Sequence, residues 1–227
     1  MSSIRIRYKT YVLGAHDIHT RTLRDTNQFD ELYVDDSTVG ISASMWPLFG
    51  VVWPSGQVLA DLMSRHDLDG LRILEVGCGI GLASLVANRR GAQITATDLH
   101  PEAGAFLQRN TELNEDPDIP FQQVGWGGDE WPSGLGTFDL IIGSDLLYER
   151  TQIEHLATFI GQHASEVCTV ILVDPGRGRM GRMAKAMEAR GYTHGRIEVP
   201  SEMVESFGER VQVHSYKRNS SVDAQVH

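Results

Sequence analysis

Cysteine is scarce in this chain: only Cys78 and Cys168 occur among 227 residues. Cys78 stands inside a glycine turn and Cys168 sits in the apolar run 167–173. Both read as small buried residues, so no disulfide and a reducing, cytoplasmic location are expected. Long apolar runs are also missing. Nothing approaches the roughly 18 apolar residues that a membrane-spanning helix needs. The first nine residues carry Arg5, Arg7 and Lys9 with no apolar stretch behind them, so no secretory leader is expected. Positive charge is in deficit, with 20 Lys and Arg against 30 Asp and Glu and a formal charge of −10. Sequence-independent binding to nucleic acid or to an anionic membrane needs a positive field, so neither partner is expected. The nine histidines form no H-x-H, H-E-x-x-H or Cys/His cluster, and no metal site is expected. No G-x-S-x-G elbow is present, which speaks against a serine hydrolase. No repeat, low-complexity tract or linker demands a second domain.

What remains is an ordinary globular balance of 41% hydrophobic and 22% charged residues, with enough length to bury a sizeable core. Strand patterns fall at 72–76, 93–97, 121–124, 138–143 and 167–173. Helical patterns alternate with them at about 81–90, 102–114, 151–164 and 179–190. Leu140-Ile141-Ile142 is apolar without alternation, as a strand buried on both faces should be. Residues 192–199 and 210–216 suit a closing hairpin. The pattern predicts an α/β fold: a seven-stranded, mostly parallel sheet with helices on both faces. Ahead of it, residues 1–52 read as a small N-terminal β/helical extension, with a hairpin broken at Gly14, a polar stretch over 24–40 and an aromatic loop. Pro54 suits the first turn of a helix that continues through Val58, Leu59, Leu62 and Met63. The main domain is expected over 53–217 and a frayed tail over 218–227.

The strand at 72–76 runs into Gly77-Cys78-Gly79-Ile80-Gly81, and the next strand ends at Asp98. Glycines there let a cofactor lie against the backbone, and a carboxylate there can accept hydrogen bonds from a ribose. These residues point to an adenosine-bearing cofactor. A dinucleotide site needs G-x-G-x-x-G, but here Leu82 stands after a shorter glycine spacing. Glu75 lies two residues ahead of Gly77, where it would repel a pyrophosphate and attract the α-ammonium of a methionine moiety. Asp98 has a second reading as a helix cap before Pro101.

Leu74 to Gly81 resembles the first motif of the class I, seven-β-strand, Rossmann-like methyltransferases that use S-adenosyl-L-methionine. Val52-Trp53-Pro54-Ser55-Gly56, Gly125-Trp126-Gly127 and Ser144-Asp145-Leu146-Leu147-Tyr148 are similar to the protein-lysine methyltransferase group called family 16, whose marker is acid-x-x-aromatic after the fourth strand. The resemblance covers roughly 40–175. It implies that Gly77, Cys78 and Gly79 form the cofactor's backbone floor and that Glu75 orients its amino-acid end. Asp98 would hold the ribose and Leu99 would lie beside the adenine. Trp126 would lie near the same ring, Trp53 would cover the cofactor, and Ser144 would stand at its methionine end. Core packing is the second reading of both tryptophans. Gly125 departs from the group, which commonly has an acid there; Asp129 is the alternative acceptor.

Asp145 and Tyr148 are the candidates for acting on the methyl acceptor, because ligands of open α/β sheets bind beyond the strands' carboxyl ends. A lysine amine must lose a proton from a reference pKa of about 10.4. Asp145 could orient the ammonium or take the proton, and proton loss to water would also serve; a cap of the helix near 151 is its other reading. Tyr148 could line the channel. Asp174-Pro175-Gly176-Arg177-Gly178-Arg179 reads as a solvated basic loop, with binding of an acidic substrate group by its arginines as the second reading. The expected enzyme is an S-adenosylmethionine-dependent N-methyltransferase with a protein lysine as acceptor, working as a monomer or weak dimer. A small-molecule amine or a protein histidine is the alternative acceptor. An NAD-dependent oxidoreductase or a non-catalytic binding protein is the alternative of another class.

Overall fold

A computed structural model describes residues 5–26, 46–127, 134–147, 150–199 and 211–219. Strands β1 (Ile6–Leu13) and β2 (His16–Leu23) form an antiparallel hairpin that turns at Gly14, whose φ is +60°. A 3-10 turn, Trp46–Gly50, leads to helix α1 (Pro54–Arg65), which has proline in its first turn as expected. The main run then alternates: β3 (Arg72–Val76), α2 (Leu82–Arg89), β4 (Gln93–Asp98), α3 (Ala103–Leu113), β5 (Phe121–Gln123), β6 (Phe138–Ser144), α4 (Arg150–His163), β7 (Ala164–Asp174), α5 (Met180–Glu188), β8 (Thr193–Ile197) and β9 (Gln212–Arg218).

Seven of these strands form one sheet in the order β5-β4-β3-β6-β7-β9-β8. The pairings from β5 to β7 are parallel, and β9 lies antiparallel between β7 and β8. The unbroken apolar runs have the cause inferred from sequence: alternate residues feed two cores. Ile73, Ile94, Leu140 and Ile142 join Leu59, Met63 and Leu85 on the α1/α2 face. Leu74, Val76, Ile141 and Val170 join Leu156, Phe159 and Met183 on the α4/α5 face.

The hairpin shares the main core. Leu13 and Ile18 pack with α1 and α2, and Leu23 packs with Phe49 and Phe106. The outer edge of β2 is closed by amide side chains of α3 and of Asn114, the residue that ends it. Asn114 Oδ1 accepts from His19 N at 2.8 Å, and its Nδ2 donates to His19 O at 2.6 Å. Asn110 does the same at Arg21, at 2.7 and 3.3 Å. These side chains pair backbone groups that a sheet edge otherwise exposes.

Several boundaries shift from expectation, two of them for a visible reason. Strand β7 starts directly after α4, because Ala164 pairs with Phe138 ahead of a register shift. Strand β9 runs through Arg218, one residue into the expected tail. The Arg218 guanidinium donates to the carbonyls of Ala164 and Ser165 at 2.7 and 2.6 Å and lies over the Tyr192 ring. Residues 27–45 and 220–227, which hold most of the polar stretch and the tail, lie outside the described residues.

The chain steps outward from β3 to β4 and β5, then returns to place β6 on the other side of β3. This reversal opens a crevice beyond the carboxyl ends of β3 and β6, where open α/β sheets hold ligands.

Candidate functional site

The glycine turn sits at that crevice. Gly77, Gly79 and Gly81 have φ of +61°, +54° and +75°, which favour glycine. Space forbids side chains as well: a Cβ on Gly79 would lie 2.9 Å from the Phe49 carbonyl oxygen, and one on Gly77 would lie 2.5 Å from Leu146 Cδ2. The Cys78 amide donates to the Thr97 carbonyl at 2.9 Å, which ties the turn to β4. Burial, with Asp98 and Glu75 nearby, pushes the Cys78 thiol well up, so it is a packing group and not a nucleophile.

Two carboxylates flank the turn. Asp98 Oδ2 accepts from Gly79 N at 2.7 Å, and its Oδ1 accepts from His100 N at 2.8 Å. The N-cap position of α3 is Glu102, so Asp98 does not cap that helix. Desolvation raises its pKa, and the backbone hydrogen bonds oppose the rise. Each oxygen keeps acceptor capacity after one such bond. Glu75 is buried on the α2 face, and its Oε2 accepts from the Ser84 amide at 2.9 Å and from the Ser84 hydroxyl. Burial pushes its carboxyl up to about 7, against the lowering by Ser84; the charge of Asp98 adds to the rise. Glu75 thus also braces the first turn of α2. Ser84 was missed in the sequence reading, although a lone serine in Leu82-Ala83-Ser84-Leu85-Val86 was a signal for a buried polar partner.

The other expected cofactor residues gather at the same edge. The Trp126 ring packs beside the α4/α5 core, and its Cζ2 is 3.5 Å from where a Cβ on Gly77 would stand. Both readings of Trp126 are therefore compatible: it is part of the core and it borders the turn. Leu99 is 39% exposed, with its Cδ1 3.1 Å from where a Cβ on Gly125 would stand. The Trp53 indole donates to the Leu48 carbonyl at 2.9 Å, which fixes the turn 46–50. Phe49 of that turn stacks on His100 with ring centroids 3.7 Å apart, so this segment closes over the ends of β3 and β4. Ser144 Oγ faces the start of α1, 3.5 Å from where a Cβ on Gly56 would stand.

Asp145 follows β6 with φ of +58°, unusual for a residue with a side chain. Its amide donates to the Val173 carbonyl at 2.8 Å, and its side chain is only 5% exposed. Its carboxylate pairs with the Arg177 guanidinium. The expected solvated basic loop is thereby corrected. Asp174 Oδ1 accepts from the amides of Gly176 and Arg177 at 2.8 and 2.9 Å, and this turn brings Arg177 to Asp145. Arg179 donates to the Leu147 carbonyl at 2.6 Å. Buried carboxylate and carbonyl acceptors across the crevice outcompete water for these two arginines. Tyr148 and Asp129 lie outside the described residues. Among the described residues no group of His, Cys, Asp and Glu could hold a metal ion, and no helix is long and apolar enough to cross a membrane.

Comparisons with known proteins agree with this geometry. The model of the lysine methyltransferase family matches residues 35–181. Protein N-lysine methyltransferase METTL21A of Mus musculus is 34% identical over 128 residues, 54% of this chain and 58% of that protein. The electron transfer flavoprotein beta subunit lysine methyltransferase of Xenopus laevis is 31% identical over 137 residues, 59% of this chain and 54% of that protein. The chain thus spans little more than half the length of these relatives. Among solved structures, ribosomal protein L11 methylase from Lactobacillus delbrueckii subsp. bulgaricus superposes with a TM-score of 0.57 at 21% identity, covering 73% of this chain and 78% of that one, which bears on the fold alone. With the family model matched across the glycine turn, Asp98, Trp126 and Asp145, the chain belongs to the lysine methyltransferase family.

Proposed function

We propose that this protein is an S-adenosyl-L-methionine-dependent methyltransferase that acts on a lysine side chain of a protein. One observation carries the reading: Glu75 and Asp98 flank the glycine turn, and Asp145 stands across the crevice at the end of the neighbouring strand. The residues fit the cofactor. Buried Glu75 suits an α-ammonium, whose charge would offset the desolvation of the carboxylate. Asp98 has acceptor capacity for ribose hydroxyls, and Leu99 and Trp126 offer apolar surface for a purine. When bound, S-adenosylmethionine supplies a methyl group on a sulfonium, which is already a good leaving group.

The chain's own residues then have little chemistry to perform. Asp145 attracts the acceptor ammonium and orients its nitrogen toward the crevice, so positioning supplies most of the rate. The proton lost by the amine passes to solvent or to Asp145. Tyr148 completes the family's acid-x-x-aromatic pattern and is assigned the acceptor channel on that resemblance. The lysine acceptor follows from the names of the relatives, two of which are described as lysine methyltransferases.

Calorimetric titration tests the cofactor: S-adenosylmethionine should bind and NADH should not. Asp145→Ala should bind S-adenosylmethionine within about twofold of wild type while methyl transfer to protein falls about 10²-fold or more. Equal loss of both would refute the role given to Asp145.

A further inference from the structure

The Arg177–Asp145 pair joins groups with unequal surroundings. Asp145 is 5% exposed, whereas Arg177 is 36% exposed. A carboxylate this buried is costly without a cation. The loop after β7 is built to deliver one: Asp174 fixes the Arg177 amide, Gly176 and Gly178 take φ of +87° and +76°, and Arg179 pins the far side to Leu147. The sequence places the two partners 32 residues apart, and the adjacency of β6 and β7 brings them together.

We propose that Arg177 is an internal stand-in for the acceptor cation. It occupies Asp145 in the acceptor-free site and must move aside before a substrate ammonium can pair there. The inference rests on the reading of Asp145 as the acceptor residue. Two cations compete for one carboxylate, so apparent acceptor affinity is the intrinsic affinity reduced by the fraction of molecules in which Asp145 is open. A planar guanidinium holds a carboxylate more firmly than an ammonium does. A bare amine therefore displaces Arg177 poorly. A lysine whose flanking residues add contacts displaces it well, so Arg177 selects for amines embedded in a protein. Arg177 acts through Asp145 and is a positioning and selectivity residue.

The test uses n-butylammonium, which reproduces the lysine side chain, titrated by NMR into the full chain loaded with S-adenosylhomocysteine. Arg177→Ala and Arg177→Gln should each bind it about fivefold or more tightly than wild type. Arg177→Lys, which keeps a cation but a less firmly held one, should fall between wild type and the two neutral variants. Methylguanidinium should compete with n-butylammonium in Arg177→Ala by refilling the vacated position, and should have little effect in wild type. A merely structural role for Arg177 would not give that competition. Unchanged or weaker binding in both neutral variants, with Asp145→Ala abolishing binding, overturns the stand-in and leaves the acceptor site intact. Binding in Arg177→Ala that survives Asp145→Ala overturns the acceptor reading itself.

Discussion

At the scale of single residues, Glu75 couples stability to function. Its carboxyl is pushed from 4.5 up to about 7 by burial. Between those values the folded chain holds a proton that the unfolded chain releases. The stabilisation from that proton is complete below about pH 4.5 and is lost as pH rises through about 7. The full shift corresponds to about 3 kcal/mol. Glu75→Gln keeps the position neutral and can still accept from Ser84. Its stability relative to wild type should therefore grow by about 2–3 kcal/mol from pH 5 to pH 8, measured by urea unfolding at each pH. A difference that stays flat with pH would contradict the assignment. The same variant should bind S-adenosylmethionine more weakly at pH 8, because it lacks the anion proposed to face the ammonium. Glu75 was legible in the sequence because an acid at the end of an apolar strand is conspicuous. Its partner was marked only by a lone serine, Ser84, in an apolar helix run, and the contact emerges only when α2 is laid on β3.

Among elements, α3 decides whether the N-terminal hairpin stays docked. Asn110 and Asn114 together satisfy both backbone groups of His19 and of Arg21. Removing one amide leaves a donor and an acceptor without partners, at roughly 1–3 kcal/mol each where they are buried. Asn114→Ala should therefore lower unfolding stability by about 1–2 kcal/mol and speed hydrogen exchange at the His19 amide. Unchanged exchange there would show that β2 is held by something else. The sequence revealed the hairpin and every strand of the main sheet, since apolar runs and glycine breaks mark them locally. It could not reveal this clamp, because asparagines on a helix read as surface residues and β2 is about 90 positions away. The start of β7 was misplaced for a similar reason: Ala164-Ser165-Glu166 has no strand pattern and is drawn into the sheet by Phe138.

Across the whole molecule, the site is a product of topology. Residues at 75–79, 98–99, 126 and 144–145 gather because β3, β4, β5 and β6 are parallel and end at one edge. This much was legible, because each strand carried its motif at its carboxyl end. The Arg177–Asp145 pair was not, because it depends on β6 and β7 being neighbours and on a turn that looks solvated in isolation. The formal charge of −10 suits an acceptor that approaches as a cation. Transfer of a methyl group to protein lysine is read out by isotope labelling. Wild-type protein and Asp145→Ala are incubated with methyl-tritiated S-adenosylmethionine and a cell lysate, and the labelled proteins are hydrolysed to amino acids. Label should appear in methylated lysine with wild type and should not rise above background with Asp145→Ala. Label confined to small molecules or to another amino acid, or undiminished by Asp145→Ala, would contradict this reading.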